Sequence, residues 1–215
     1  MNKSFLSRLI GVSEADIVGL EGMTFALANA TEEMASFKGL LTSRVKTKVQ
    51  ALTQALITED DLGKVIRAHI HIEHELYDLI FFAAPCPEQL LKSKDMEFSE
   101  KVRLALVLGL NAELKPALTA VSKLRNNFAH RIDMRLEEKA ATQLVDLLPR
   151  RVSDRFKKIL KEALSELTVR ALKGEGLSYF RTQTQILVFF LGLFDAVAEE
   201  RHRLAFEKLE TMAWH

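Results

Sequence analysis

The sequence predicts an all-α protein built from a few long helices, and three observations carry that expectation. Apolar residues recur at three- and four-residue steps through most of the chain, which is the period of a helix with one buried face. Gly (9) and Pro (4) are scarce in 215 residues, whereas an all-β fold consumes turn residues at every hairpin. No segment shows a convincing two-residue alternation.

The prolines at 85, 87, 116 and 149 divide the chain into blocks. From Glu14 to about Ile57, Leu20, Met23, Leu27 and Ala30 keep a helical rhythm, with a candidate break near Ser36–Gly39. Thr58 is then expected to start a helix whose first turn holds Glu59, Asp60 and Asp61, acids that favour the positive end of the helix dipole. That helix should stop before Pro85-Cys86-Pro87, a rigid turn. A shorter helix is expected from Ser99, ended by Gly109 and Asn111. The next carries Pro116 in its first turn, where a missing N–H is tolerated, and an apolar stripe of Leu114, Leu118, Val121, Leu124 and Phe128. A block over Met134–Leu148 ends at Pro149. Ser153 is expected to cap a helix to about Lys173, Gly174-Glu175-Gly176 to break it, and Ser178 to cap a long final helix reaching about Met212. The expected organisation is an N-terminal helical segment (1–57), core helices (58–148) and C-terminal helices that complete the bundle or form a dimer interface (149–215).

Composition narrows the function classes. Hydrophobic residues make up 48% and charged residues 27%, which argues against global disorder. A net charge of +1 removes the simplest case for a general nucleic-acid coat but leaves room for a local basic patch. Cys86 is the only cysteine, so no intrachain disulfide can form. The N-terminal residues lack the apolar core of a secretion signal. The most apolar run, Ile186–Phe194, is nine residues, about half of a membrane span. A cytoplasmic protein without a membrane partner is the expectation.

The one sharp chemical signature is Arg125-Asn126-Asn127-Phe128-Ala129-His130. On a helix, Asn126 and His130 share a face, Arg125 reaches over from its flank, and Phe128 turns inward and fixes the roll. One guanidinium, one or two amides and one imidazole are thereby presented together. The set suits a phosphodiester. Arginine offers planar, permanently charged donors to phosphate oxygens. Histidine takes or gives a proton near neutrality. Attack by an RNA 2′-hydroxyl on its own phosphate needs those two services and no metal, with asparagine orienting the imidazole or the phosphate. The plainer reading is a helix C-terminus, where Arg and His suit the negative end of the dipole.

The stretch KVRLALVLGL…ALTAVSKLRNNFAH, with RAHIHIEHELYDLI before it, resembles the HEPN superfamily. These are helical bundles marked by R-x4-6-H with a polar residue after the arginine. Within that superfamily the pattern is similar to the mannitol-repressor-like branch. The resemblance covers about Glu59–Arg131, a third of the chain. It implies an up-and-down bundle in which two protomers bring their motifs together, hence a homodimer. It further implies an endoribonuclease of toxin or defence type that needs neither metal nor cofactor. Carried over, Arg125 stabilises the phosphate, Asn126 supports it, and His130 is the catalytic acid/base, with Asn127 beside them. A toxin would also have an antitoxin partner. Other HEPN relatives are inactive and bind partners, so the alternative is a regulatory or interaction module that binds protein or nucleic acid.

Two further groups bear on the site. His69, His71, Glu73, His74 and Glu75 lie close together, but the H-E-x-x-H order of a zinc helix is absent and no metal is expected. If this helix lies beside the motif helix, His71 and Glu75 are the candidate supporting residues. The segment PRRVSDRFKKILK has six basic residues against one Asp, and Arg151, Arg155 and Lys158 follow one helical edge suited to an RNA backbone or to plain solvation. Residues 34–58 hold four basic residues and no acid, with the same two readings. Phe180, Phe189, Phe190 and Phe194 are expected in the core or a dimer interface.

Overall fold

The structure is a computed structural model. It describes residues 47–86, 89, 96–131, 134–159 and 177–213, with side chains of the last stretch described from 181 to 208. Among the described residues every regular element is helical. Helix α1 covers residues 47–58, α2 Asp61–Ala83, α3 Phe98–Val107, α4 Lys115–His130, α5 Glu138–Asp146, α6 residues 150–159 and α7 Leu177–Ala213. The expected N-terminal helix before residue 47, the break at Ser36–Gly39 and the one at 174–176 lie outside the described residues.

Local chemistry explains the boundaries, and some differ from expectation. Thr58 ends α1 instead of starting α2, its hydroxyl donating back to the Gln54 carbonyl at 3.1 Å. The cap of α2 is Asp60, whose Oδ1 accepts from the Gly63 N–H at 2.7 Å, with Asp61 in the first turn. A carboxylate outcompetes threonine here because it also meets the helix dipole. Helix α3 begins at Phe98, one residue before Ser99, where the Glu97 N–H donates to the Glu100 side chain at 3.0 Å. It ends at Val107, and the chain turns out of it at Gly109, whose φ of 106° only glycine adopts without strain. The Leu110 N–H reaches the Ala105 carbonyl at 2.9 Å and the Gly109 N–H that of Leu106 at 3.2 Å, a Schellman closure. Helix α6 starts directly after Pro149, so Ser153 lies inside it and donates to the Arg150 carbonyl at 3.1 Å. Helix α7 already runs at Leu177, which puts Ser178 within the helix.

Apolar periodicity becomes one shared core. The expected stripe of α4 is buried throughout: Leu114, Leu118, Val121, Leu124 and Phe128. It belongs to one continuous core with Val65, Ala68, Ile72, Leu76 and Leu79 of α2, Val102 and Ala105 of α3, and Val145 of α5. Helix α7 is the axis. Ile186, Phe189, Phe190, Leu193, Phe194 and Val197 are buried on several sides of it, the pattern of a helix enclosed by others. Phe189, Phe190 and Phe194 therefore belong to the core, while the Phe180 side chain lies outside the described residues. No helix among the described residues is long and apolar enough to cross a membrane. At Gly192 an added Cβ would stand 3.2 Å from both Leu148 and Val152, so α6 rests directly on the backbone of α7.

Contacts between helices fix their directions. Helix α7 runs beside α2 in the same sense, since Lys64 meets Gln183 at 2.5 Å, Glu75 meets Arg201 at 2.8 Å, and Lys208 donates to the Ala84 carbonyl at 2.6 Å. The segment after α4 returns to the start of α2, where the Leu136 N–H donates to Asp61 Oδ2 at 2.9 Å. One step departs from strict up-and-down order. Phe98 lies against His69 and Lys101 against Glu73, so α3 is parallel to α2. The chain between Ala84 and Phe98 is long enough for this. At ~3.3 Å per residue it can return past the ~1.5 Å per residue that α2 climbs.

Candidate phosphodiester site

The motif occupies the last turns of α4. Phe128 is 4% exposed and anchors the helix to the core, while Arg125, Asn126, Asn127 and His130 are all exposed. The core contacts that hold Phe128 and Leu124 thus orient the polar side chains away from the bundle. Arg125 Nη1 donates to Asn126 Oδ1 at 3.1 Å, so the asparagine steadies the guanidinium. His130 is the last helical residue, and Arg131 leaves in extended backbone. A cation there suits the dipole, and the same position leaves the imidazole free to meet a solvent-borne group.

On α2, His69 faces α3, whereas His71 faces α7. The His69 ring lies 4.5 Å from the Phe98 ring, centroid to centroid, and its Nδ1 faces Glu73 Oε2 at 3.7 Å. Lys101 Nζ from α3 holds the other Glu73 oxygen at 2.6 Å. Burial is the main cause that holds the His69 imidazole below its ordinary value. Glu73 pulls it up, while Arg125 and Lys101 push it further down. His69, Glu73 and Lys101 thus form one contact group between α2 and α3.

His71 and Glu75 do not support the motif. At 100° per residue they point almost opposite to His69 and Glu73. His71 packs edge-on to Phe194, ring centroids 6.2 Å apart, and Glu75 is fully buried against α7. Arg201 Nε donates to Glu75 Oε2 at 2.8 Å, and Lys48 of α1 bonds the other oxygen and lies 3.7 Å from Asp78. Burial alone would raise the Glu75 carboxyl, but Arg201 and Lys48 outweigh it and hold the group below its ordinary value. Burial also lowers His71, with His74 and Lys48 adding to it. This is a structural ion-pair cluster. It includes Arg201 Nη1, which is buried without a hydrogen-bond partner among the described residues.

The basic edge of α6 is also only partly available. Arg155 is bound by Asp195 and Glu199 of α7, the latter at 2.5 Å, and its guanidinium lies 5.4 Å from the centre of the Phe156 ring. Two carboxylates already pair with its guanidinium and would compete with a phosphate for it. Arg151 and Lys158 are exposed. Lys48, part of the basic run before residue 58, is likewise consumed by Glu75 and Asp78.

Among the described residues, no group of three or more His, Cys, Asp and Glu is disposed to hold a metal ion. Compared with protein-family models, curated proteins and solved structures, the chain matches none.

Proposed function

We propose that the chain is a metal-independent endoribonuclease of the HEPN type, acting as a homodimer in a toxin or defence setting. The observation that carries this reading is the display of Arg125, Asn126 and His130 on an exposed helix end whose roll is fixed by buried Phe128. Arg125 stabilises the charge that builds on the phosphorane, Asn126 holds the guanidinium through its 3.1 Å hydrogen bond, and His130 transfers a proton. RNA is the substrate because its 2′-hydroxyl supplies the nucleophile. An antitoxin would then be expected to cover this helix end, and a cytoplasmic location follows from the substrate.

The decisive experiment incubates purified protein with mixed RNA in EDTA. Cleavage should persist with the chelator and fall by about 100-fold or more in His130→Ala. An inert wild type would favour the second reading, a non-catalytic module that binds protein or nucleic acid. That reading has its own support, since a histidine at the last position of a helix is favourable without any chemistry. Light scattering checks the assembly. A dimer mass is expected at micromolar concentration, and a clean single-chain mass would remove the two-protomer site.

A further inference from the structure

A nuclease has to hold its strand beside the phosphate it cuts, and the strand is a polyanion. Exposed cations without a carboxylate already on them are suited to this, since a paired guanidinium gives up its partner before it gains a phosphate.

Among the described residues, the arginines with no carboxylate within ion-pair distance are Arg125, Arg131, Arg135 and Arg151. Arg125 belongs to the motif, and Arg131 and Arg135 come directly after it in the chain. Resting on the ribonuclease reading, we propose that Arg131 and Arg135 bind the RNA backbone next to the scissile phosphate, as a track that continues from Arg125 and His130.

Covalent continuity and two hydrogen bonds set the placement. Arg131 is bonded to His130, which puts their Cα atoms about 3.8 Å apart, and it leaves α4 in extended backbone with φ −138° and ψ 106°. The Met134 N–H then returns to the Arg131 carbonyl at 3.5 Å, a turn that keeps the next residues close to the helix end. Beyond it, Leu136 is 5% exposed in the core and its N–H is held by Asp61 Oδ2 at 2.9 Å. Met134 also packs against the core. Neighbouring side chains of an extended segment point to opposite sides. With Met134 and Leu136 turned inward, Arg135 is turned outward, and it is exposed, as Arg131 is. The segment is therefore anchored by backbone and apolar contacts that leave both guanidiniums to a ligand.

The acids of this stretch are Asp133, Glu137 and Glu138, and Glu138 faces Arg181 at 3.9 Å. A stretch of such mixed charge attracts RNA only where its guanidiniums reach a phosphate, which makes the contact a local one. The basic edge of α6 is less open. Arg150 lies 3.5 Å from Asp154, and Arg155 is shared by Asp195 and Glu199, which leaves Arg151 as its carboxylate-free arginine.

The test measures fluorescence anisotropy of a labelled, mixed-sequence 2′-O-methyl RNA single strand over a salt series. That probe lacks the nucleophile and cannot be cut. The paired variant Arg131→Gln with Arg135→Gln should bind about 10-fold or more weakly at low salt. It should also lower the slope of log K against log salt by about 1.4, because each single-strand phosphate contact contributes roughly 0.7. On cleavable RNA in EDTA, its loss should fall in KM more than in kcat, at an unchanged denaturant midpoint. Arg151→Gln should change affinity and slope far less. A paired variant with wild-type affinity and slope overturns the track, while cleavage by the wild type keeps the ribonuclease reading. Weaker binding at an unchanged slope also overturns it, since the arginines then act through folding and not through phosphates. An equal loss in Arg151→Gln overturns the placement in favour of diffuse surface charge. A wild type that cleaves no RNA sinks the ribonuclease reading, and with it a track beside a scissile phosphate.

Discussion

Glu75→Ala is expected to destabilise the fold by about 3–5 kcal/mol, the cost of breaking a buried ion pair from one side. Glu75 and Arg201 are both fully buried, and Arg201 already carries one nitrogen without a partner. Among the described residues, removing the carboxylate would leave the guanidinium with only its 3.1 Å contact to His202 Nε2 as a hydrogen bond. Lys48 would lose its closest partner and keep Asp78 at 3.7 Å. Helices α1, α2 and α7 meet at this point, so the loss is global. Urea unfolding measures it, and a change below ~1 kcal/mol would show that solvent reaches Arg201 readily. The double variant Glu75→Leu with Arg201→Met should lose less than Glu75→Ala, because it removes both charges together.

The same cluster gives the fold an acid limit. The Glu75 carboxyl is held below its ordinary 4.5. Its contribution is therefore fully present above about pH 4.5 and is lost as pH falls through the lowered folded value. Stability of the wild type should drop across that window, and the double variant should show a shallower drop.

How much of this was legible in the sequence depends on the range of the interactions involved. The α4 stripe was readable because burial of Leu114 through Phe128 follows from helical period alone. The same holds for the inward turn of Phe128 and the outward turn of Arg125 and His130. Helix starts were less readable, because Thr58, Ser99 and Ser153 are all plausible caps by residue type. A neighbouring carboxylate or a proline decided each one. Partner choice between helices was not readable. His69 and His71 differ by two positions, which is enough to send one toward α3 and the other toward α7. Only the packing of α2 shows which. The i, i+4 spacing of His69 and Glu73 was the available signal for a paired imidazole, but it does not say what lies opposite. Arg155 likewise read as an open cation until α7 brought Asp195 and Glu199 to it from 40 and 44 residues away.

Phe128→Ala and His130→Ala, two residues apart, should behave as opposites. Phe128 is 4% exposed and closes the end of the α4 stripe beside Leu124 and Val121. Truncating it removes a ring from a close-packed core and leaves a cavity, at a cost of about 3–5 kcal/mol. His130 is exposed on the far side of the same turn, so its truncation should cost under ~1 kcal/mol, as surface changes usually do. Both variants should lose RNA cleavage, for different reasons. In Phe128→Ala the roll of the last α4 turns is no longer fixed, so Arg125 and Asn126 are presented loosely even where the protein is folded. In His130→Ala the presentation is intact and the proton donor is gone. Denaturant midpoints for the two variants, read beside their cleavage rates in EDTA, separate these causes. If His130→Ala lowers the midpoint as far as Phe128→Ala does, His130 serves the helix end as a structural cap. RNNFAH is then the close of a helix, and the ribonuclease reading loses its proton donor.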